Sequence, residues 1–317
     1  MRFLSLKTPD AQSFVKAQMM PRAAYHGTVV LKGSRLPSPA RRRIIALVAT
    51  TGSRCILALL KSVYLSGPIF SRLKMKKHFL TLHTTLSPET LKEKLQHWEP
   101  WRHRIDFDNG VSTMDLKRGS HFSEHPLKKV SLFQTVIPFE NISAARLLDI
   151  GCNAGYNSIY AAMKYHFLTT GVDISPRHIE VSKFLASLSG VSCEFLCESA
   201  ETFSRPGEFD FVLHFGTLYH LPNPLLSLER SFENLKPGGY LALETQVYDH
   251  PQDPNICYFM HGQNNDPSNF WALSTPVLKK NLELIGFANI QEVKRFVNPL
   301  LADHMARIFV SARKPSC

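Results

Sequence analysis

The stretch LLDIGCNAGY, residues 147–156, decides the fold of this 317-residue chain. Its apolar first half predicts a short buried strand, and the residues around and after Gly155 predict a helix. Gly151 lets the chain turn sharply at the end of the strand, and Gly155 lets the backbone come close to a ligand or to the strand. The stretch therefore predicts a ligand-binding turn between a strand and a helix.

The spacing of the glycines differs from that of the dinucleotide-binding turn, G-x-G-x-x-G. That pattern requires glycines at positions 151, 153 and 156, which here hold Gly151, Asn153 and Tyr156. The lysine and the serine or threonine of a phosphate-binding loop are absent from the turn as well. Asp149, at the end of the strand, argues against an anionic ligand and for a cationic one.

A second acid follows at the end of the next predicted strand. Asp173 lies 22 residues beyond Gly151, an interval at which an acid can hold the two hydroxyls of a ribose. Together these features describe a site for S-adenosylmethionine, with its sulfonium and ammonium near Asp149 and its ribose on Asp173. Gly151, Asn153 and Gly155 are assigned to the same site. The alternative is that both acids only cap helices.

The turn ESAE (198–201) follows a further predicted strand and lies where an adenine would lie. Ala200 would supply a backbone amide, and Glu201 would supply a carboxylate. A helix cap formed by Ser199 is an equally good interpretation of the same residues. Ala200 and Glu201 are therefore candidate cofactor-binding residues.

The stretch FDFVLHFGTLYHLP (209–222) predicts a buried strand that ends beside the same cleft, where an open α/β sheet usually carries its chemistry. His214, Tyr219 and His220 are the polar candidates. We assign His214 to the cofactor and Tyr219 to catalysis. The alternative for each of them is a packing role, which is more common for a single histidine or tyrosine.

Strands and helices alternate through the rest of the chain. The predicted strands cover residues 147–150, 168–173, 193–197, 209–215, 240–245, 290–295 and 306–312. The predicted helices cover residues 87–97, 126–135, 154–165, 176–188, 224–235 and 276–285. The residues KPGG (236–239) predict a helix stop followed by a turn. This order predicts an α/β fold, Rossmann-like, with a doubly wound parallel sheet and helical N-terminal additions.

The net charge of +11 is concentrated at the start of the chain. Residues 1–74 carry +12, whereas residues 75–317 carry −1, so the total does not by itself indicate a nucleic-acid-binding protein. We interpret residues 1–74 as a basic, low-order extension. It is a targeting presequence, a basic arm that contacts phosphates or, as we favour, upstream sequence before a natural start at Met75.

The cysteines and histidines predict neither a metal site nor a disulfide framework. The six cysteines are scattered and form no CxxC pair, and the histidines show no metal-ligand spacing. Reduced thiols predict a cytoplasmic protein. No apolar stretch reaches the roughly 18 residues that a membrane span needs, so no membrane partner is expected.

These residues resemble the class I S-adenosylmethionine-dependent methyltransferases, for which LLDIGCNAGYNS and GVDIS are characteristic. The closer resemblance, over residues 86–315, is to the bacterial tRNA wobble-uridine methyltransferase and carboxymethyltransferase family, which acts on 5-hydroxyuridine. The matching segments are WEPWRHRIDF (98–107), DIGCNAGY (149–156), GTLYHLPNPLLSL (216–228), LKPGGYLALET (235–245) and RIFVSARKP (307–315). The resemblance implies a seven-stranded sheet whose last strand is antiparallel. Together with the charge boundary at residue 74, it divides the chain into the extension (1–74), an N-terminal helical cap region (75–140) and a class I methyltransferase domain (141–317).

The resemblance also implies roles for individual residues. Tyr219 and Arg307 match the positions that bind the carboxylate of carboxy-S-adenosylmethionine in that family. The family's third carboxylate ligand is a lysine directly after the Pro-Trp-Arg motif, where this chain has His103 followed by Arg104. We take Arg104 as the candidate replacement. Because of this departure, ordinary S-adenosylmethionine is the alternative donor.

The predicted function is methyl or carboxymethyl transfer to the wobble 5-hydroxyuridine of tRNA. Tyr219 would orient the transferred group, and Arg104 or Arg307 would stabilise the acceptor oxyanion. Basic residues that would contact tRNA are Lys76, Lys77, Arg102, Arg104, Lys117, Arg118, Lys128 and Lys129. The alternatives are a small-molecule O- or N-methyltransferase of the same fold, and a non-catalytic protein that binds an adenosyl ligand or RNA.

Overall fold

A computed structural model describes residues 80–116, 126–142, 144–262, 266–297 and 304–316, and the backbone of three short strands near the start of the chain. The chain divides into two compact units, Met1–Lys77 and His78–Cys317. In the first unit, β1 (Phe3–Leu6), β2 (Val15–Gln18) and β3 (Val30–Lys32) form an antiparallel sheet in that order. Apart from these strands, the interpretations of residues 1–74 and of Met75 lie outside the described residues.

The second unit contains the α/β architecture. Its described strands are β4 (Leu80–Leu82), β5 (Ile105–Phe107), β6 (Arg146–Ile150), β7 (Leu168–Asp173), β8 (Cys193–Cys197), β9 (Phe209–Phe215), β10 (Leu235–Tyr248), β11 (Cys257–Phe259), β12 (Trp271–Leu273), β13 (Ala288–Val297) and β14 (Met305–Arg313). Its described helices are α1 (Pro88–His97), α2 (Pro126–Phe133), α3 (Tyr156–Tyr165), α4 (Pro176–Ser189), α5 (Pro224–Asn234) and α6 (Thr275–Ile285). The predicted alternation of strands and helices is confirmed.

Seven strands form the main sheet in the order β8-β7-β6-β9-β10-β14-β13. The strands from β8 to β10 are parallel, and β14 runs antiparallel between β10 and β13. The predicted seven-stranded, Rossmann-like sheet with an antiparallel last strand is therefore confirmed. The strands β12 and β11 continue the sheet beyond β10. Each of them is three residues long, too short to show a period-two pattern in the sequence.

Serine caps and left-handed glycines fix the ends of several helices. The Ser87 hydroxyl accepts from the backbone N–H of Thr90 at the start of α1, and Ser175 caps α4 in the same way. Gly286 ends α6 with a φ of 113°, a conformation that favours glycine. The residues 236–239 do follow a helix end, but they form an irregular start of β10 rather than a separate turn.

The core lies on both faces of the sheet, and β9 shows how the sequence divides it. Phe211, Leu213 and Phe215 pack against the α2 and α3 side, whereas Val212 belongs to the cluster on the α5 and α6 side. The segment before residue 117 packs onto α3 and α4 through a separate apolar cluster. It contains the parallel pair β4–β5 as well as α1, so this part of the predicted helical region is mixed.

Within the described residues, no helix is both long enough and apolar enough to cross a membrane.

Candidate active site

The turn after β6 requires glycine at position 151. The residue has a φ of 67°, and its N–H donates to the carbonyl of Val172 at 2.8 Å. A Cβ atom at this position would lie 2.1 Å from the Thr217 hydroxyl oxygen. That hydroxyl in turn donates to the carbonyl of Ile150 at 3.2 Å. The turn after β6 and the end of β9 therefore pack too closely for any side chain at Gly151.

Asn153 and Gly155 complete this turn. Asn153 also has a positive φ, 50°, and its side-chain oxygen accepts from the N–H of Ala154 at 2.8 Å. Gly155 has a φ of 72°, and a Cβ there would lie 2.7 Å from the Phe195 ring. The two residues bring the start of α3 against β8. The backbone N–H of Asn153 is thereby directed at the end of β7.

Asp173 ends β7 and is the best-placed carboxylate of the cleft. Its Oδ2 accepts from the N–H of Asn153 at 2.9 Å. Its Oδ1 accepts from the N–H of Ser175 at 2.9 Å and lies 3.0 Å from His178 Nδ1. Burial alone would raise the pKa of Asp173, but the hydrogen bonds from His178 and the two amides outweigh it and lower the pKa. Asp173 is thus ionised, and Oδ2 has capacity for a second donor such as a ribose hydroxyl.

Asp149 lies beneath the turn rather than on its surface. The residue is 1% exposed, and its Oδ2 accepts from the Ser158 hydroxyl of α3 at 2.8 Å. Burial raises the pKa of Asp149 to about 7. The carboxyl therefore joins β6 to α3, and its predicted contact with a sulfonium or ammonium has no direct geometric support.

The turn after β8 combines a cap with a link to α5. The Ser199 hydroxyl accepts from the N–H of Glu201 at 3.2 Å, as expected if Ser199 caps this turn. The Glu201 carboxylate accepts from the N–H of Asn223, directly before α5, at 2.7 Å. Ala200 is buried between them. The assignment of Ala200 and Glu201 to an adenine stays a prediction.

Four polar side chains converge where β9, β10 and β14 meet. We call Lys129, Tyr219, Glu244 and Arg307 the Glu244 cluster. Lys129 Nζ lies 2.7 Å from Glu244 Oε2, and Arg307 donates to Glu244 Oε1. A second Arg307 nitrogen donates to the Tyr219 hydroxyl at 2.9 Å. The cluster surrounds Gly216, where a Cβ would lie 3.5 Å from Glu244 Oε2 and from Lys129 Nζ.

Glu244 is ionised despite its burial, whereas its two cationic partners are partly exposed. Glu244 is 0% exposed, and burial alone would raise its pKa, but Lys129 and Arg307 outweigh this and lower it. Burial opposes the charge of Arg307 as well, yet Glu244 and Tyr219 raise the pKa of Arg307 above its usual value. By formal charge, the two basic side chains and one carboxylate of the cluster leave +1 at this edge of the sheet.

The structure brings Tyr219 and Arg307 within hydrogen-bond distance across 88 residues of sequence. The role predicted for Arg104 stays a prediction. The Arg104 Nε donates to Asp106 in β5 at 2.9 Å. The cation that joins Arg307 at Glu244 is Lys129 of α2. Lys129 is predicted from the sequence only as a contact to tRNA, and Glu244 is not predicted as a site residue.

Two histidines have packing contacts. His214 is fully buried, and its Nε2 lies 2.9 Å from the Ser227 hydroxyl of α5. His214 therefore packs α5 onto the sheet, which is the alternative given for it, and its assignment to the cofactor stays a prediction. His103 packs on Tyr156, with ring centroids 5.3 Å apart, and burial followed by Lys129 lowers the pKa of His103 to about 3. Position 103 is thus neutral where the resembled family has a cation.

The residues of the cleft fit S-adenosylmethionine. Asp173 offers an ionised carboxylate for a ribose, and Gly216 leaves room beside the polar atoms of the Glu244 cluster. Among the described residues, no group of three or more His, Cys, Asp or Glu could hold a metal ion. Fold and site together define an S-adenosylmethionine-dependent methyltransferase.

Comparison with known proteins agrees with this class. The chain belongs to the family described as "Methyltransferase domain", whose profile matches residues 119–292. The ubiquinone biosynthesis O-methyltransferase of Cereibacter sphaeroides is 38% identical over 110 residues, which are 34% of this chain and 43% of that protein. That of Xanthomonas euvesicatoria is 32% identical over 123 residues, 38% of this chain and 51% of that protein. The matched segment thus spans about half the length of these relatives or less.

Solved structures share the fold at low identity. The N-terminal domain of EvdMO1 with S-adenosylhomocysteine bound superposes with a TM-score of 0.57 at 18% identity, over 72% of this chain and 98% of that one. A phosphoethanolamine N-methyltransferase 2 from Haemonchus contortus, in complex with phosphomonomethylethanolamine and S-adenosylhomocysteine, gives 0.50 at 15% identity, over 60% of this chain and 52% of that one. These likenesses support the fold.

Proposed function

We propose that this methyltransferase transfers a methyl group to an oxygen of a small acceptor that carries an acidic hydroxyl. The Glu244 cluster is the observation that carries the proposal. It places the guanidinium of Arg307, the ammonium of Lys129 and the hydroxyl of Tyr219 around Gly216 at the carboxyl end of β9. The names of the relatives from Cereibacter and Xanthomonas specify O-methylation in ubiquinone biosynthesis, which supports an oxygen acceptor.

When bound, S-adenosylmethionine supplies a methyl group on a sulfonium, so that the acceptor oxygen forms a C–O bond as the C–S bond breaks and the electron pair stays on a neutral thioether. The chain's own residues then have two tasks. The Tyr219 hydroxyl orients the reacting groups, because alignment is the main requirement of such a transfer. Arg307 and Lys129 stabilise the acceptor as an oxyanion after its hydroxyl proton has left to solvent.

Carboxymethyl transfer from carboxy-S-adenosylmethionine to tRNA is the second candidate. The hydrogen bond between Arg307 and Tyr219 favours it, since these two positions bind the extra carboxylate in the resembled family. Lys129 adds a third group of the required charge, although from α2 instead of position 103. The charge of −1 over residues 75–317 favours the small acceptor, because a tRNA-binding surface needs a basic field.

The predicted tRNA contacts are only partly described. Lys76, Lys77, Lys117, Arg118 and the side chain of Lys128 lie outside the described residues. Lys129 is directed at Glu244 and is therefore a component of the site.

Transfer of label from methyl-labelled S-adenosylmethionine tests the proposal. The protein is incubated in parallel with a metabolite extract and with bulk tRNA, and each incubation is repeated with carboxy-S-adenosylmethionine. We expect label in the small-molecule fraction, on oxygen. Label in tRNA, or turnover only with the carboxylated donor, would establish the second candidate. Binding of the donor without turnover in either fraction would indicate the non-catalytic alternative.

Arg307 gives a prediction for catalysis. In Arg307→Ala, we expect kcat to fall by about 30–100-fold, because one oxyanion-stabilising donor is typically worth that much or more. The dissociation constant of S-adenosylhomocysteine should stay within about threefold, since the product carries no acceptor oxyanion. Single-turnover methyl transfer and calorimetry measure the two quantities.

Arg313→Ala is the matched control for this prediction. Arg313 lies on the same strand, stacks over Tyr240 at 5.2 Å and donates to the carbonyl of Gly238 at 3.1 Å. Its loss should leave kcat within about twofold, because it is at the other end of β14. If kcat falls equally in the two variants, the effect is not specific to Arg307.

We also infer that the protein works in a reducing, cytoplasmic compartment, with a cap region at 75–140 and a catalytic domain at 141–317. Cys152, Cys193, Cys197 and Cys257 are all free thiols. The boundary between the compact units, after Lys77, supports the separation of the basic extension at residues 1–74.

A further inference from the structure

We propose that Glu244 is a positioning residue that lowers the positive charge of the cleft, so that the cationic methyl donor is disfavoured less against the neutral thioether product. The inference rests on the proposed function, because it places the transferred methyl at the Glu244 cluster. Its consequence is a measurable preference between two ligands that differ in charge.

The backbone holds Glu244 rigidly at the centre of the sheet. In β10, Glu244 lies opposite Phe215 of β9 on one side and opposite Phe309 of β14 on the other. Its carbonyl also accepts from the N–H of Gly216 at 2.9 Å. The carboxylate therefore has little freedom to move away from the end of β9.

Each carboxylate oxygen of Glu244 serves one cation. Oε2 lies 2.7 Å from Lys129 Nζ, and Oε1 accepts from Arg307. The two cations come from α2 and from β14, two elements that are far apart in sequence. Glu244 thus holds Lys129 and Arg307 together, and its own Oε2, Lys129 Nζ and the Tyr219 hydroxyl lie closest to Gly216.

Charge is the property that distinguishes the donor from the product. S-adenosylmethionine carries a sulfonium charge that S-adenosylhomocysteine lacks, and the two ligands otherwise share the same adenosyl and amino-acid groups. Without Glu244, the cluster would present a charge of about +2 in a partly buried site, and repulsion would act on the sulfonium alone. With Glu244 the net charge is +1, and about half of that repulsion is removed.

A purely structural ion pair makes a different prediction. Breaking a buried ion pair by removing one partner destabilises a protein, because the remaining charge is left without a partner. Such damage weakens the binding of both ligands together. The ratio of the dissociation constants of donor and product is therefore the informative quantity, because a merely structural role would not change it.

The test measures that ratio by calorimetry in the full-length protein and in Glu244→Gln. We expect the ratio of donor to product dissociation constants to rise by about tenfold in the variant. The double variant Glu244→Gln with Lys129→Met restores a net charge of +1 and should bring the ratio back towards the starting value. An unchanged ratio in Glu244→Gln would overturn the inference.

Asp210→Asn is the matched control. Asp210 lies at the other end of β9 and also forms an ion pair with a lysine, Lys236, at 2.8 Å. Its neutralisation changes the net charge by the same amount but leaves the Glu244 cluster intact, so the ratio should stay constant. An equal change in this control would mean that total charge, and not the cluster, sets the ratio.

Lys129→Met alone keeps the inference testable if Glu244→Gln does not fold. This variant lowers the charge of the cluster, so the ratio should fall by several-fold, and an unchanged or increased ratio would overturn the inference. The outcome is separable from that of the proposed function. If the unmodified protein binds both ligands but methylates no small acceptor, the proposed function fails, whereas the ratio still decides the role of Glu244.

Discussion

Replacing Asp173 by alanine will weaken the binding of S-adenosylhomocysteine by about two orders of magnitude or more. A hydrogen bond to a charged group is worth roughly 1.5–3 kcal/mol, and the ribose of the ligand offers two hydroxyls to this carboxylate. The variant also removes the acceptor for the N–H of Asn153, so the glycine turn loses one of its hydrogen bonds to β7. Calorimetric titration of the two proteins measures the loss.

Asp249→Ala is the control for the alternative that Asp173 only caps a helix. Asp249 follows β10, accepts from the N–H of Thr275 at 2.6 Å at the start of α6, and forms an ion pair with Arg295 at 2.5 Å. Its replacement should lower stability but leave the affinity for S-adenosylhomocysteine within about threefold. If both variants lose stability and neither loses affinity, Asp173 is a cap and not a ligand of the ribose.

The second large effect concerns stability and Asp149. Its pKa in the folded protein is about 7, against 3.8 for an exposed aspartate, so the folded state binds this proton more tightly than the unfolded state. The free energy of unfolding that Asp149 contributes is therefore highest below about pH 4 and falls as the pH rises to about 7. Above pH 7 the penalty is constant, at roughly 4 kcal/mol.

Asp149→Asn removes this titration but retains an acceptor for the Ser158 hydroxyl. We expect the stability of the variant, relative to the unmodified protein, to rise by roughly 4 kcal/mol between pH 4 and pH 8. Urea unfolding at both pH values measures it. His103 and His214 have lowered pKa values and destabilise both proteins alike as the pH falls below about 6, so the difference isolates Asp149. A difference that does not depend on pH would show that Asp149 is ionised in the folded protein.

The sequence predicts those parts of the candidate site that lie within one short, contiguous motif. Gly151 and Asp173 each end a strand, and parallel strands bring their carboxyl ends to one edge of the sheet. Tyr219 and Arg307 are joined only across 88 residues, and the resemblance supplied that pair. In these cases a local pattern or a family motif was sufficient.

The remainder depends on packing between distant elements. Lys129 is indistinguishable in the sequence from a surface lysine of an amphipathic helix, and only the approach of α2 to β10 gives it Glu244 as a partner. The sequence contains one indication of Glu244, which is that an acid stands within the apolar strand LALET (241–245). His214 alternates to the face of β9 covered by α5, a direction that the strand pattern alone did not reveal.

A crystal structure with S-adenosylhomocysteine bound tests the central claim most directly. We expect the ribose hydroxyls within about 3 Å of the Asp173 carboxylate, a normal hydrogen-bond distance, and the sulfur directed towards Gly216 and the Tyr219 hydroxyl. An acceptor oxygen could then approach the sulfur between Arg307 and Lys129. A ligand whose ribose contacts other residues, or whose sulfur faces away from the Glu244 cluster, would contradict the assignment of this edge as the site of methyl transfer.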